Sequence, residues 1–207
     1  FSTDFYGVSE FENSNFIKDV DFSNTTFRMD SSFKNAQFLM RADFHNATFN
    51  KTAKFEEAIF NGDTILDGLK ISETSEINLR NSKFERIHIN WNLIKDHFVY
   101  DDVAYLQLVE NFKDMGDFES ADDCYYDYRK HKQNTNNDFM RLSYWEDRIS
   151  WLFCGYGVRP LYPIIWSILI VIIFMVLYSV MLHQQIFWDS LILSLKGFLS
   201  QGVLSQT

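Results

Sequence analysis

Residues 22–54 read "FSNTTFRMDSS" (22–32), "FKNAQFLMRAD" (33–43) and "FHNATFNKTAK" (44–54), three units of eleven laid end to end. Each opens on phenylalanine and carries a second one five positions later. Outward from this window Phe occupies 11, 16, 22, 27, 33, 38, 44, 49, 55 and 60, with gaps that alternate five and six. Two positions before these rings stand small residues: Ser9, Ser14, Thr25, Ser31, Ala36, Ala42, Ala47, Ala53 and Ala58, with Val20 the exception. Neither a 3.6-residue helical period nor a two-residue strand alternation produces this spacing. A solenoid does, because each short face turns one large and one small side chain inward and stacked coils bury like above like. Phe22, Phe27, Phe33, Phe38, Phe44, Phe49, Phe55 and Phe60 are the expected core of that solenoid.

These units resemble the pentapeptide-repeat family in its Phe-rich form, with an additional residue in every second repeat. The resemblance covers about residues 5–89 and implies a right-handed, four-sided β-helix, expected over residues 1–92. Leu66, Ile71 and Ile77 continue the register with aliphatic residues. It then slips, and Leu79, Phe84 and Ile89 resume at a spacing of five. Ile87, Ile89 and Trp91 are expected to begin the cap that closes the apolar end of the coil.

Residues 93–137 change period and predict a helical hairpin. Ala104, Tyr105, Leu108, Val109 and Phe112 share one helical face, and Gly116 stops that helix. Phe118, Ala121, Cys124, Tyr125 and Tyr128 mark a second face. Acids lead this second helix and bases end it, as its dipole favours. "GDFESADDCY" (116–125) resembles a tetratricopeptide unit, although one hairpin is not an array. The hairpin and the solenoid wall are the expected places for a protein partner.

Residues 138–160 follow a polar break, and Phe139, Leu142, Trp145, Ile149 and Leu152 recur at the spacing of an amphipathic helix on a membrane surface. Leu161–Leu182 is an uncharged apolar run, so residues 161–183 are expected to be a transmembrane helix with membrane lipid as its partner. Gly155-Tyr156-Gly157, just before it, is similar to the core of a potassium-channel filter. It precedes the span, however, follows Phe153-Cys154 and leads into Val158-Arg159. Gly155 and Gly157 are therefore expected to be a membrane hinge rather than an ion site. Residues 186–207 contain "FWDSLILSLKGF" (187–198), which resembles the pore helix of two-span potassium-channel-like domains of prokaryotic or archaeal type. That resemblance implies a homo-oligomer, with a tetramer as the expected form, and Leu199, Ser200, Gln201 and Gly202 as the candidate pore loop. The chain opens on Phe1 and stops at Thr207 in mid-pattern, which suggests a segment of something longer.

The formal charge of −9 argues against a nucleic-acid partner, which would need a basic face. Two distant cysteines, Cys124 and Cys154, make neither a disulfide framework nor a metal site. No grouping of nucleophile and base, and no phosphate-cradling glycine loop, points to an enzyme or to a cofactor. Two readings of function remain: an ion-channel-like membrane protein whose solenoid assembles, senses or gates, and a membrane-anchored interaction scaffold without conduction. Arg141, Arg148 and Arg159 before the apolar run favour a cytoplasmic solenoid. The triplets at Asn24, Asn46 and Asn50 are glycosylation acceptors that point outside, as does an apolar leader carried by some relatives of this kind.

Overall fold

The computed structural model describes residues 3–135 and 142–181, together with Ile192. The chain divides into two compact units, residues 1–136 and 137–207.

In the first unit the repeat residues build two-residue strands joined by tight corners, and all strand pairs run parallel. Asp4–Phe5, Thr26–Phe27, Thr48–Phe49 and Lys70–Ile71 form one ladder. Ser9–Glu10, Ser31–Ser32, Ala53–Lys54 and Ile77–Asn78 form a second. The other two sides of the coil meet on one long strand, Ile59–Ile65, which also pairs with Lys83–His88. Phe27 stands on Phe49 and Phe38 on Phe60, so one turn takes 22 residues. The result is a β-solenoid of about four turns.

The rings fill the interior as flat stacks along the axis. Phe27 and Phe49 lie 5.0 Å apart at 6°, and Phe38 and Phe60 lie 4.7 Å apart at 4°. Around a coil the rings instead meet edge to face, as Phe33 and Phe44 do at 5.4 Å and 87°. Both geometries suit the ring quadrupole. Ala36, Ala42, Ala47, Ala53 and Ala58 are fully buried between the rings. A larger side chain there would overfill the interior.

The period of eleven has a second cause, at the corners. Asn13, Asn24, Asn35 and Asn46 all adopt φ between 54° and 57°, and Glu57, Gly68 and Asn81 continue the left-handed series. Asparagine enters this region more readily than most residues, because its short polar side chain bonds locally. Asn35 Nδ2 donates to Asn13 Oδ1 at 2.8 Å, one coil below.

The fourth turn corrects the sequence register. Ile77 does not continue the large-residue ladder: it pairs with Ala53, in the small-residue row. The amide of Phe55 donates to the carbonyl of Asn78, so Leu79 takes the place above Phe55. Ile71 and Leu79 are eight positions apart, whereas Phe49 and Phe55 are six, and the longer connection displaces Ile77. Ser75 within it is buried and donates to the carbonyl of Phe49 at 2.9 Å.

Helix α1 (Trp91–Ile94) lies at the end of the solenoid, followed by α2 (Asp102–Asp114) and α3 (Phe118–Thr135). Asp101 caps α2 by accepting from the Ala104 amide at 3.0 Å. Gly116, at φ +77°, turns the chain, and Asp117 accepts from the Ser120 amide at 3.1 Å at the start of α3. Ala104, Tyr105, Leu108, Phe112, Ala121 and Cys124 bury the hairpin's inner faces. Phe118 departs from its expected face and stays 66% exposed, because α3 begins with it, at the outer tip of the hairpin.

The second unit contains α4 (Leu142–Cys154), a three-residue 3₁₀ turn at Gly155–Gly157, and α5 (Leu161–Met181). Among the described residues no single helix is long and apolar enough to cross a membrane. The apolar stretch Leu161–Leu177 measures only about 25 Å at ~1.5 Å per residue, short of a ~30 Å bilayer core. Tyr144–Gly157 and Leu161–Leu177 meet the requirement together, as a pair bent by 115°.

Candidate interaction surface and the bent helix pair

A stack of parallel strands leaves unpaired amides and carbonyls at its last turn, and here the connector supplies their partners. The Ile77 amide donates to the His97 carbonyl at 2.8 Å, and the Val99 amide donates back to the Ile77 carbonyl at 3.0 Å. Asn111 of α2 does the same with its side chain. Its Oδ1 accepts from the Ile87 amide at 3.0 Å, and its Nδ2 donates to the Ile87 carbonyl at 2.8 Å. One carboxamide thus stands in for the next strand. Trp91 is fully buried and donates from Nε1 to Asp127 of α3 at 2.9 Å. Cap and hairpin are thereby tied into one body with the solenoid.

This docking leaves two hollows. One, of about 310 Å³, is lined by Lys95, Asp96, Asp127, Lys130, His131 and Asn134. The other, of about 220 Å³, lies between the last turns of the solenoid and the hairpin tip. Asp67, His88, Ile89 and Asn90 line it from the solenoid side, and Phe112, Met115, Asp117 and Ser120 from the hairpin. Exposed Phe118 follows directly on Asp117 in the chain.

The outer wall is mostly polar, with Tyr6, Val8, Ile17, Met29 and Met40 exposed among its polar side chains. On the second ladder the residues following each large residue are Glu12, Lys34, Glu56 and Arg80, which alternate in sign along the axis. Arg28 reaches Asp4 at 2.7 Å, one coil away. Such exposed pairs contribute only about 0–1 kcal/mol each. Asn24 and Asn46, the first residues of two acceptor triplets, are corner residues of the left-handed series.

All eight expected core rings, Phe22 to Phe60, are buried in the stacks. At the bend, Gly155, Tyr156 and Gly157 have φ of +52°, +61° and +86°. A Cβ on Gly155 would stand 2.6 Å from Arg159 Cβ, so glycine permits both the dihedral and the close approach. Trp166 Nε1 donates to the Leu152 carbonyl at 2.7 Å and its ring packs on Phe153, which ties α5 back to α4. Leu142, Trp145, Ile149 and Leu152 remain exposed along α4. Exposed apolar side chains also surround α5, including Ile164, Ile168, Ile172, Phe174 and Leu177. The expected pore-loop residues Leu199, Ser200, Gln201 and Gly202 lie outside the described residues.

The two thiols differ. Cys124 is buried and its pKa is pushed up, by burial first and then by Asp127 and Asp123, whereas Cys154 is exposed. Among the described residues no three of His, Cys, Asp and Glu gather as a metal ion would require. Sequence reasoning missed Asn111, whose role depends on helix docking, and the left-handed asparagines, whose eleven-residue spacing was there to be seen.

Comparison with known families agrees with the repeat region. The family model described as "Pentapeptide repeats (9 copies)" matches residues 1–39 and 33–75. No curated protein and no solved structure matches the chain.

Proposed function

We propose that this chain, whose residues 1–75 are pentapeptide repeats, is a membrane-attached interaction scaffold. The solenoid with its helical cap is the rigid body that meets partners, and α4 with α5 attaches that body to lipid. The supporting observation is the bent pair. One arm carries an apolar stripe, the other is apolar all round, and the angle between them is 115°. A stripe suits the headgroup boundary, while an all-round apolar surface suits the hydrocarbon. Together Tyr144–Gly157 and Leu161–Leu177 have the length and composition of a span, so the pair can seat in the bilayer as one bent unit. Arg148 and Arg159, with Arg141, put the solenoid on the cytoplasmic side in this reading. Conduction through a homo-oligomeric pore would rest on residues 187–202, which apart from Ile192 lie outside the described residues.

The test uses the exposed thiol. The full chain, labelled at Cys154 with an environment-sensitive fluorophore, is mixed with phosphatidylcholine vesicles and floated on a density gradient. Co-flotation with a blue-shifted emission is expected. Protein left at the bottom of the gradient with unshifted emission would refute attachment. Cation flux through the same vesicles would return the channel reading.

A further inference from the structure

We propose that the 220 Å³ hollow between the solenoid's last turns and the hairpin tip is a docking groove for a basic peptide segment of a protein partner. Phe118 would be its outer apolar contact. The proposal deepens the scaffold reading and rests on it, since it names the kind of partner that a scaffold would hold.

Three observations converge on this place. First, the groove has an apolar floor, with Ile89 and Phe112 buried beneath it and the thioether of Met115 at its edge. Second, the large ring of Phe118, next in the chain after the lining residue Asp117, is left 66% exposed, although the neighbouring rings of the connector are packed. Exposed aromatic rings next to a small hollow are the usual anchors of protein–protein contacts. Third, the charge has one sign. Asp67 and Asp117 stand on opposite walls, and residues 110–123, "ENFKDMGDFESADD", hold six acids against the single base Lys113. Asp117 accepts a hydrogen bond from the Ser120 amide, while Asp67 has no ion pair among the described residues.

Charge decides the occupant. Nucleic acid and anionic lipid headgroups would be repelled, and a second copy of this chain would bring a net charge of −9. A segment carrying lysine or arginine around one leucine, methionine or phenylalanine meets both the acidic walls and the apolar floor. The volume admits one such side chain rather than a cofactor. The hollow of about 310 Å³ lacks this bias, since Lys95 and Lys130 face Asp96 and Asp127 there.

The test is selection of phage-displayed random dodecapeptides on the full chain in mild detergent. Selected peptides should be rich in Lys and Arg around an apolar residue. They should bind about tenfold more weakly to Phe118→Ser and to the double variant Asp67→Asn, Glu119→Gln. Phe118→Leu should retain most of the binding, and raising salt should weaken it. Peptides that bind all variants alike, acidic peptides, or no selection at all would overturn the proposal. So would self-association that Phe118→Ser abolishes, because it would assign the surface to a second copy. Failure of vesicle flotation with peptide binding intact would remove only the membrane reading. Intact flotation without peptide selection would remove only the groove.

Discussion

Replacing Asn111 with leucine should open the solenoid from its capped end. The substitution keeps the approximate size of the side chain and removes both of its hydrogen bonds to Ile87, at 3.0 and 2.8 Å. Ile87 is fully buried and Asn111 is only 7% exposed, so water cannot replace the lost partners without local opening. An unsatisfied buried amide or carbonyl costs about 1–3 kcal/mol, and two of them therefore about 2–6 kcal/mol. Extra apolar burial by leucine returns about 1–2 kcal/mol of this. A net loss of about 1–4 kcal/mol corresponds to exchange of the Ile87 amide roughly fivefold to a thousandfold faster. Hydrogen–deuterium exchange of the full chain in mild detergent, read on peptides covering 83–90, measures it directly. Asn111→Asp keeps the acceptor for the amide but turns a second oxygen toward the carbonyl, so it should also lose protection. If Asn111→Leu left the Ile87 amide as protected as in the parent chain, the carboxamide would not be acting as the missing strand.

In thermal melts Phe33→Ala should cost about 3–5 kcal/mol, because the ring is fully buried and a cavity would remain. Phe16→Ala, from a half-exposed site on the first coil, should cost clearly less, and equal losses would contradict the ladder. Gly62→Ala would place a Cβ 2.6 Å from the main-chain carbon of Met40, forcing adjacent coils apart at about 1–3 kcal/mol. Gly116→Ala meets nothing within 4 Å and should cost about 1–2 kcal/mol, solely through φ +77°. At pH 8 a maleimide should modify Cys154 rapidly and spare Cys124 until denaturant is added. The raised pKa of Cys124 lowers its thiolate fraction at that pH, and burial blocks access. Mass spectrometry showing rapid modification of Cys124 in the native chain would contradict the packing of the hairpin.

The repeat was legible because its cause is local: each coil needs one ring and one small residue at fixed spacing, and the sequence displays both. The paired helices after it were legible for the same reason, through their apolar faces. Ile77 was misplaced because two inserted residues shift the register, and aliphatic residues stand in both inner rows there. Phe118 has the spacing of an inner residue, yet it stands at the helix terminus, where the partner helix no longer covers it. Asn111 could not be singled out in advance, since nothing local distinguishes an asparagine that completes a sheet from one that faces water. The membrane unit illustrates another limit. Hydropathy identifies an apolar run, whereas the left-handed turn at residues 155–157 makes that run one arm of a bent pair.

The corner asparagines recur every eleven residues while a full turn takes 22, so successive units occupy opposite sides of the coil. Excising one unit, such as residues 33–43, would preserve the ring stacks, the small residues and the alternation of five and six. Everything downstream, including the cap and its acidic groove, would swing half a revolution about the axis and descend by half a turn. Excising two units would shorten the rod and restore the original heading. The repeat therefore acts as an indexing mechanism. Insertions and deletions in multiples of eleven can re-aim a partner-facing surface in steps of a half revolution without redesigning the core.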